Sequence, residues 1–404
     1  MVVAPLLALL IAGVAAACGG GENDPSDAAS DPTQSQQAPT AAPTQPPAQP
    51  TAQPTATSPA VSDDARIAVA ALAAIDVVDS AGFHDMAKTL AEATEINPRL
   101  ARTVANVRTV VEGTRWGSAL ESQAHELAEA LAVLEAALTA EDLDGARAAA
   151  EAVHDAQHDL SADTYAWLAS VGPVDPADRD AAIVSLIAAI DIIDSAGFHD
   201  MAKALAEADE INPRFAGTTA KAVTAARVAA WSPDLAAEGS KLTSDLEDLL
   251  AALESGDVAA AAAAAEAVHD SQHDASKATY AWLAEHHASM SHDDPTLAYA
   301  CAVKVVDAID GVGFHDMARE LAEATEINPR YAGRVANALA VMHREAMEDA
   351  AAFDHLRETM QSLYDALVAG DLDAARELSE TVHEAQHDFS GAMYGQMAAM
   401  HGSH

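Results

Sequence analysis

Three copies of one pattern, spaced about 115 residues apart, constrain this chain more than any other feature. The hexapeptide Gly82-Phe83-His84-Asp85-Met86-Ala87 recurs unchanged from Gly197 to Ala202 and from Gly313 to Ala318. Ile96-Asn97-Pro98-Arg99 recurs from Ile211 and from Ile327. Val153-His154-Asp155-Ala156-Gln157-His158-Asp159 recurs, with small changes, from Val268 and Val382. A period of that length is a whole domain rather than one unit of a solenoid. The copies begin near Asp64, Asp180 and Thr296, and short linkers separate them: Gly172-Pro173-Val174-Asp175-Pro176 and the stretch from Ser291 to Pro295. The expected domains are residues 63–172, 178–290 and 294–404, strung as separate beads.

Within each copy the pattern is helical. Aromatic residues make up only 4% of the chain, so its apolar content is mostly Ala, Leu, Val and Ile, which suits close-packed helices. The first copy is expected to hold four helices, roughly Arg66 to Ala93, Pro98 to Glu112, Ser118 to Leu138 and Leu143 to Ser170. Asn97 is placed to cap the second, with Pro98 in its first turn, where the missing N–H costs nothing. Asp142 or Asp144 caps the fourth, and Gly256-Asp257 and Gly370-Asp371 give matching turn signals in the later copies. The expected fold class is all-α: three tandem four-helix up-down-up-down bundles, with the first and fourth helices of each as antiparallel neighbours.

The first 62 residues have a different character. An apolar run from Leu6 to Ala17, short for a membrane span, ends in Ala15-Ala16-Ala17-Cys18-Gly19-Gly20-Gly21. This resembles a bacterial lipoprotein signal. The resemblance implies removal of residues 1–17, lipid attachment at Cys18, and a place in the cell envelope, at the outer face of the cytoplasmic membrane or in the periplasm. Ordinary secretion after cleavage beyond Ala17 is the alternative. Residues 18–62, rich in Pro, Thr, Gln and Ala, cannot bury enough surface to offset their ordering entropy and read as a disordered tether. The other cysteine, Cys301, lies in an apolar helical pattern and reads as a small buried hydrophobe. A formal charge of −42, spread along the chain, disfavours nucleic acid and anionic headgroups and draws cations. Membrane contact is therefore expected through the lipid alone, and metal ions are the expected partners.

On the fourth helix, about 100° per residue puts Glu151, His154, His158 and Tyr165 on one stripe. Histidines at i and i+4 converge on one ion, and Glu151 three residues before His154 adds the Glu-x-x-His arrangement of helical-bundle metal sites. On the first helix, Asp79 shares a side with Ile75, Phe83, Met86 and Leu90, with Asp76 at its margin and His84 further round. Level matching in an antiparallel pair, at about 1.5 Å per residue, brings His84 beside Glu151 and His154 and sets His158 opposite Asp76 and Asp79. The expected metal ligands are these six together with their counterparts in the later copies. In the second copy these are His199, Glu266, His269, His273, Asp191 and Asp194, and in the third His315, Glu380, His383, His387, Asp307 and Asp310. Nine of the seventeen histidines hold this register, whereas the second and third helices have drifted almost completely.

Neutral imidazoles with carboxylates suit Zn, Cu, Ni or Fe, and spacing does not choose among them. The leading expectation is a non-enzymatic, lipid-anchored metal-binding protein for capture, buffering or sensing. One alternative is a haem electron carrier, which would be b-type because no Cys-x-x-Cys-His occurs. Another is a structural or adhesive array whose His, Asp and Gln side chains form hydrogen-bonded polar cores that fix helix register. A di-iron enzyme fits less well, because each copy has one Glu-x-x-His where such bundles use two.

Overall fold

The computed structural model describes residues 63–287, 290–291, 293–342 and 350–401. The signal peptide, the tether and Cys18 lie outside the described residues, as does the end of the third copy beyond residue 401. Among the described residues the protein is all-helical, with fifteen helices and no strand. The first copy comprises α1 (Asp63–Ser80), α2 (Phe83–Glu92), α3 (Arg99–Gly113), α4 (Glu121–Thr139) and α5 (Leu143–Val171). The second comprises α6 (Arg179–Ser195), α7 (Phe198–Glu207), α8 (Arg214–Val228), α9 (Ala236–Ser255) and α10 (Val258–His286). The third comprises α11 (Pro295–Gly311), α12 (Phe314–Glu323), α13 (Arg330–Val341), α14 (Ala350–Ala369) and α15 (Leu372–His401).

Five helices per copy correct the expected four, and the extra break has a single cause. The helix expected to run from Arg66 to Ala93 stops before Gly82, whose φ of 68° lies in the left-handed region, and Gly197 and Gly313 do the same at 69° and 71°. A Cβ at any of the three would meet nothing within 4 Å, so backbone conformation rather than space demands glycine there. The chain then restarts at Phe83, Phe198 or Phe314, whose buried rings anchor each new helix.

Helix ends follow local chemistry. Asn97 Oδ1 accepts from Arg99 N at 3.0 Å, and Asp142 rather than Asp144 caps α5, accepting from Gly145 N at 3.0 Å. Arginine secures another end: Arg147 on α5 donates from Nε to Leu90 O (2.9 Å) and from a terminal nitrogen to Ala93 O (2.7 Å), covering the last carbonyls of α2. Arg376 does the same for Leu321 and Ala324 in the third copy, whereas the second copy has Ala262 at that position.

The copies are not separate beads, and the described residues fall in one compact unit. Inside a copy α3 packs on α4, α4 on α5, and α5 on both α1 and α2. Between copies α1, α6 and α11 pack on one another at the centre, and α5 meets α8, α10 meets α13, and α15 returns to α3. The last contact closes a ring of three with pseudo-threefold symmetry. The cause lies in the first helix of each copy. Ile67 to Val78 of α1 are buried without interruption, as are Ala181 to Ile190 of α6. A helix apolar on every side cannot be satisfied by its own copy alone and must be surrounded. Within Asp63–Glu92 and Arg179–Glu207 an 18-residue stretch reaches a mean hydropathy of 1.5 and 1.8, high enough for a membrane span, yet 72% of each stretch is buried in this core.

Candidate metal centre

The break at Gly82 sets the geometry of the histidines. It makes His84 the second residue of α2 and aims it at α5, where His154 and His158 stand one turn apart. His84 Nδ1 lies 3.2 Å from His154 Nε2, and His158 Nε2 lies 3.1 Å from the same atom. In the second copy His273 Nε2 is 3.0 Å from His269 Nε2, and the His199 and His269 ring centres are 4.9 Å apart. In the third, His387 Nε2 is 3.0 Å from His383 Nε2, and the His315 and His383 rings are again 4.9 Å apart. Each copy thus holds a row of three imidazoles with the middle ring half-buried and the first exposed.

Hydrogen bonding alone satisfies this row poorly. An imidazole nitrogen carries either one N–H or one in-plane lone pair, so His154 Nε2 serves one of its two short neighbours and not both. A cation that takes lone pairs from several rings removes the conflict. Two nitrogens on a tetrahedral ion at 2.0–2.1 Å stand about 3.3 Å apart, close to each pairwise spacing, although among the described residues Asp76, Asp191 and Asp307, and not the three imidazoles of a row, bring three ligand atoms within 4.8 Å of one another. Asp155 lies 3.2 Å from His154 Nδ1, placed to accept its proton in the tautomer that leaves Nε2 free to ligate. Asp270 lies 3.6 Å from His269 Nδ1 in the second copy. Burial, helped by the adjacent His269, lowers His273 below the usual histidine range. Burial together with His387 and His315 lowers His383, and both shifts favour the neutral, ligating form.

The six ligands expected in each copy separate into three places. Glu151, Glu266 and Glu380 are exposed, one turn before the middle histidine of each row. Asp79 turns away from the histidines and accepts from Gln157 Nε2 (2.6 Å), Ser161 Oγ (3.0 Å) and, across the copy boundary, Lys221 Nζ (2.6 Å). Asp194 accepts from Gln272 and Ser276, and Asp310 from Gln386 and Ser390. Protein donors meet the need of these carboxylates for partners. Burial still raises Asp194 to about 6 and lifts Asp310, against the lowering effect of those same hydrogen bonds.

Asp76, Asp191 and Asp307 lie on the ring axis, Asp76 buried and the other two half-buried, where one oxygen of each is 2.5 Å from Lys304 Nζ. Burial raises Asp76 well above the carboxylate range and Asp307 to about 6. Burial alone would lower Lys304, but Asp191, Asp307 and Asp76 hold it well above the usual lysine value. Sequence reasoning missed Lys304, Lys221, Arg147 and the serines, and it raised the Asp–Gln bond only within the alternative of a polar core. The signal for the Gln–Ser pairs was present, since Gln157 and Ser161 recur as Gln272 and Ser276 and as Gln386 and Ser390.

Compared with protein-family models, curated proteins and solved structures, the chain matches none of them.

Proposed function

We propose that the protein is a non-enzymatic metal-binding protein of the cell envelope, lipid-anchored at Cys18, that holds one transition-metal ion at each histidine row for capture, buffering or sensing. One observation carries this reading: the middle imidazole nitrogen stands within hydrogen-bond distance of two other ring nitrogens at once. Equivalent ring pairs recur in the other copies. The ligand set is imidazole, backed by carboxylates and without thiolate, which suits Zn, Cu or Ni and is compatible with Fe. Partly exposed ring edges favour a small ion over haem b, which needs an apolar slot between helices. Each copy reads as an up-down-up-down four-helix bundle whose first helix glycine has split so that its histidine meets the last helix.

Elemental analysis of the full chain after exposure to Zn or Cu and dialysis tests this. The expected content is one ion per row, falling by one for each of His154→Ala, His269→Ala and His383→Ala and vanishing in the triple variant. Binding no tighter than micromolar, or a triple variant that retains the full metal content, refutes the proposal.

A further inference from the structure

Asp76, Asp191 and Asp307 occupy equivalent places in the three copies, and their nearest oxygens lie within 4.8 Å of one another. Three carboxylates that close, one buried and two half-buried, repel one another and call for a cation. Lys304 supplies it. Its side chain is 0% exposed, and its ammonium, with three N–H donors, spends one on each copy. Other copies do not repeat the lysine: Ala73 and Ala188 stand at the equivalent positions. We infer that the ring axis is a three-carboxylate cation site whose occupant is the chain's own ammonium, standing where a hard divalent ion such as Ca²⁺ would otherwise sit.

Geometry and symmetry both support this. Lys304 Nζ donates to one oxygen of each of the three carboxylates, so a single point on the axis is shared equally by all three copies. Up to six carboxylate oxygens surround the point, enough for the six or more that a hard cation takes. Only one Nζ fits on the axis. An assembly of three identical chains would bring three lysines there or none, whereas copies fused in one chain can differ at this single position. Arg66, near the other end of the same three helices, follows the same logic: it reaches Asp294 at 2.9 Å and Asp178 at 3.6 Å, while Ala181 and Leu297 take its place in the other copies.

The test compares melting of the full chain as wild type, Lys304→Ala and Ala73→Lys/Lys304→Ala, each in chelator and in millimolar Ca²⁺, a cation that imidazole rows bind poorly. Lys304→Ala is expected to lose about 5–10 °C in chelator and to regain most of it with Ca²⁺, beyond any shift of the wild type. The relocated lysine is expected to restore the wild-type midpoint in chelator. Three results overturn the inference: Lys304→Ala melting like wild type, a Ca²⁺ response no larger than that of wild type, or a relocated lysine no better than Lys304→Ala. If Lys304→Ala does not fold in chelator, recovery of folding by Ca²⁺ and by the relocated lysine decides in the same sense.

Discussion

Removing the Arg147 guanidinium tests how far the copies are interchangeable, because the protein carries its own controls. Arg147→Ala withdraws two charged donors from Leu90 O and Ala93 O and leaves the last carbonyls of α2 to water. A hydrogen bond from a charged donor contributes about 1.5–3 kcal/mol. The Arg147 side chain is 36% exposed, and its contact with the 92% exposed Asp144 contributes almost nothing, so screening reduces the pair to roughly 1–2 kcal/mol in total. The midpoint of urea unfolding should fall by about 0.5 M, and amide exchange should accelerate first in the last turn of α2. Arg376→Ala should behave alike, since its side chain is also 36% exposed and grips the equivalent carbonyls. Ala262→Arg should add a similar increment to the second copy, where Ala208 has the same extended cap as Ala93. If the two alanine variants unfold like wild type and Ala262→Arg gains nothing, these arginines are not helix-end clamps.

Acidity offers a second check. Asp194 is raised from 3.8 to about 6, so its contribution to stability is full below about 3.8 and is lost as pH rises through about 6. The wild type should therefore gain up to about 3 kcal/mol relative to Asp194→Asn between pH 7.5 and 4, measured by chemical unfolding of both proteins. His273 and His383 act oppositely: their contribution is present above about 6.5 and fades as pH falls, so the difference from Asp194→Asn is the quantity to read. Gly313→Ala should cost about 1–2 kcal/mol through backbone strain alone, because the added methyl meets no neighbour; an unchanged thermal midpoint would mean that the left-handed conformation is dispensable.

Helical content and most helix ends were legible because they depend on neighbours in sequence. Asn97 and Asp142 cap where their spacing to the next backbone N–H predicts, and the Gly82 hexapeptide marks a special backbone position in all three copies. Meeting of His84 with His154 followed from matching levels along antiparallel helices, whereas His158, expected opposite Asp76 and Asp79, stands against His154. Asp76 and Asp79 were not separable in this way. They lie three residues apart on α1, and which of them faces α5 depends on what surrounds α1 on its other sides, namely α6 and α11. Ring closure was hidden for the same reason. Helical periodicity reports one buried stripe, and α1 has no exposed stripe to break the pattern. Asp76, Asp191 and Asp307 recur in register, but the lysine that joins them stands in the apolar run of α11 alone, and a solitary lysine carries no record of partners 113 and 228 residues away.

The contacts of the third copy with the first also bear on the order in which the molecule is made. Thr109 O accepts from Tyr299 Oη, and Asp294 from Arg66, across separations of 190 and 228 residues, so the first copy leaves the ribosome well before its closing partners exist. Until then α1 and α6 present apolar flanks that nothing covers, and a chain holding only two copies has a gap into which a third copy from another molecule fits as well as its own. Successful biogenesis therefore favours rapid completion of a single chain or a companion that shields those flanks. Intermolecular exchange of the last copy is the natural misassembly of this architecture.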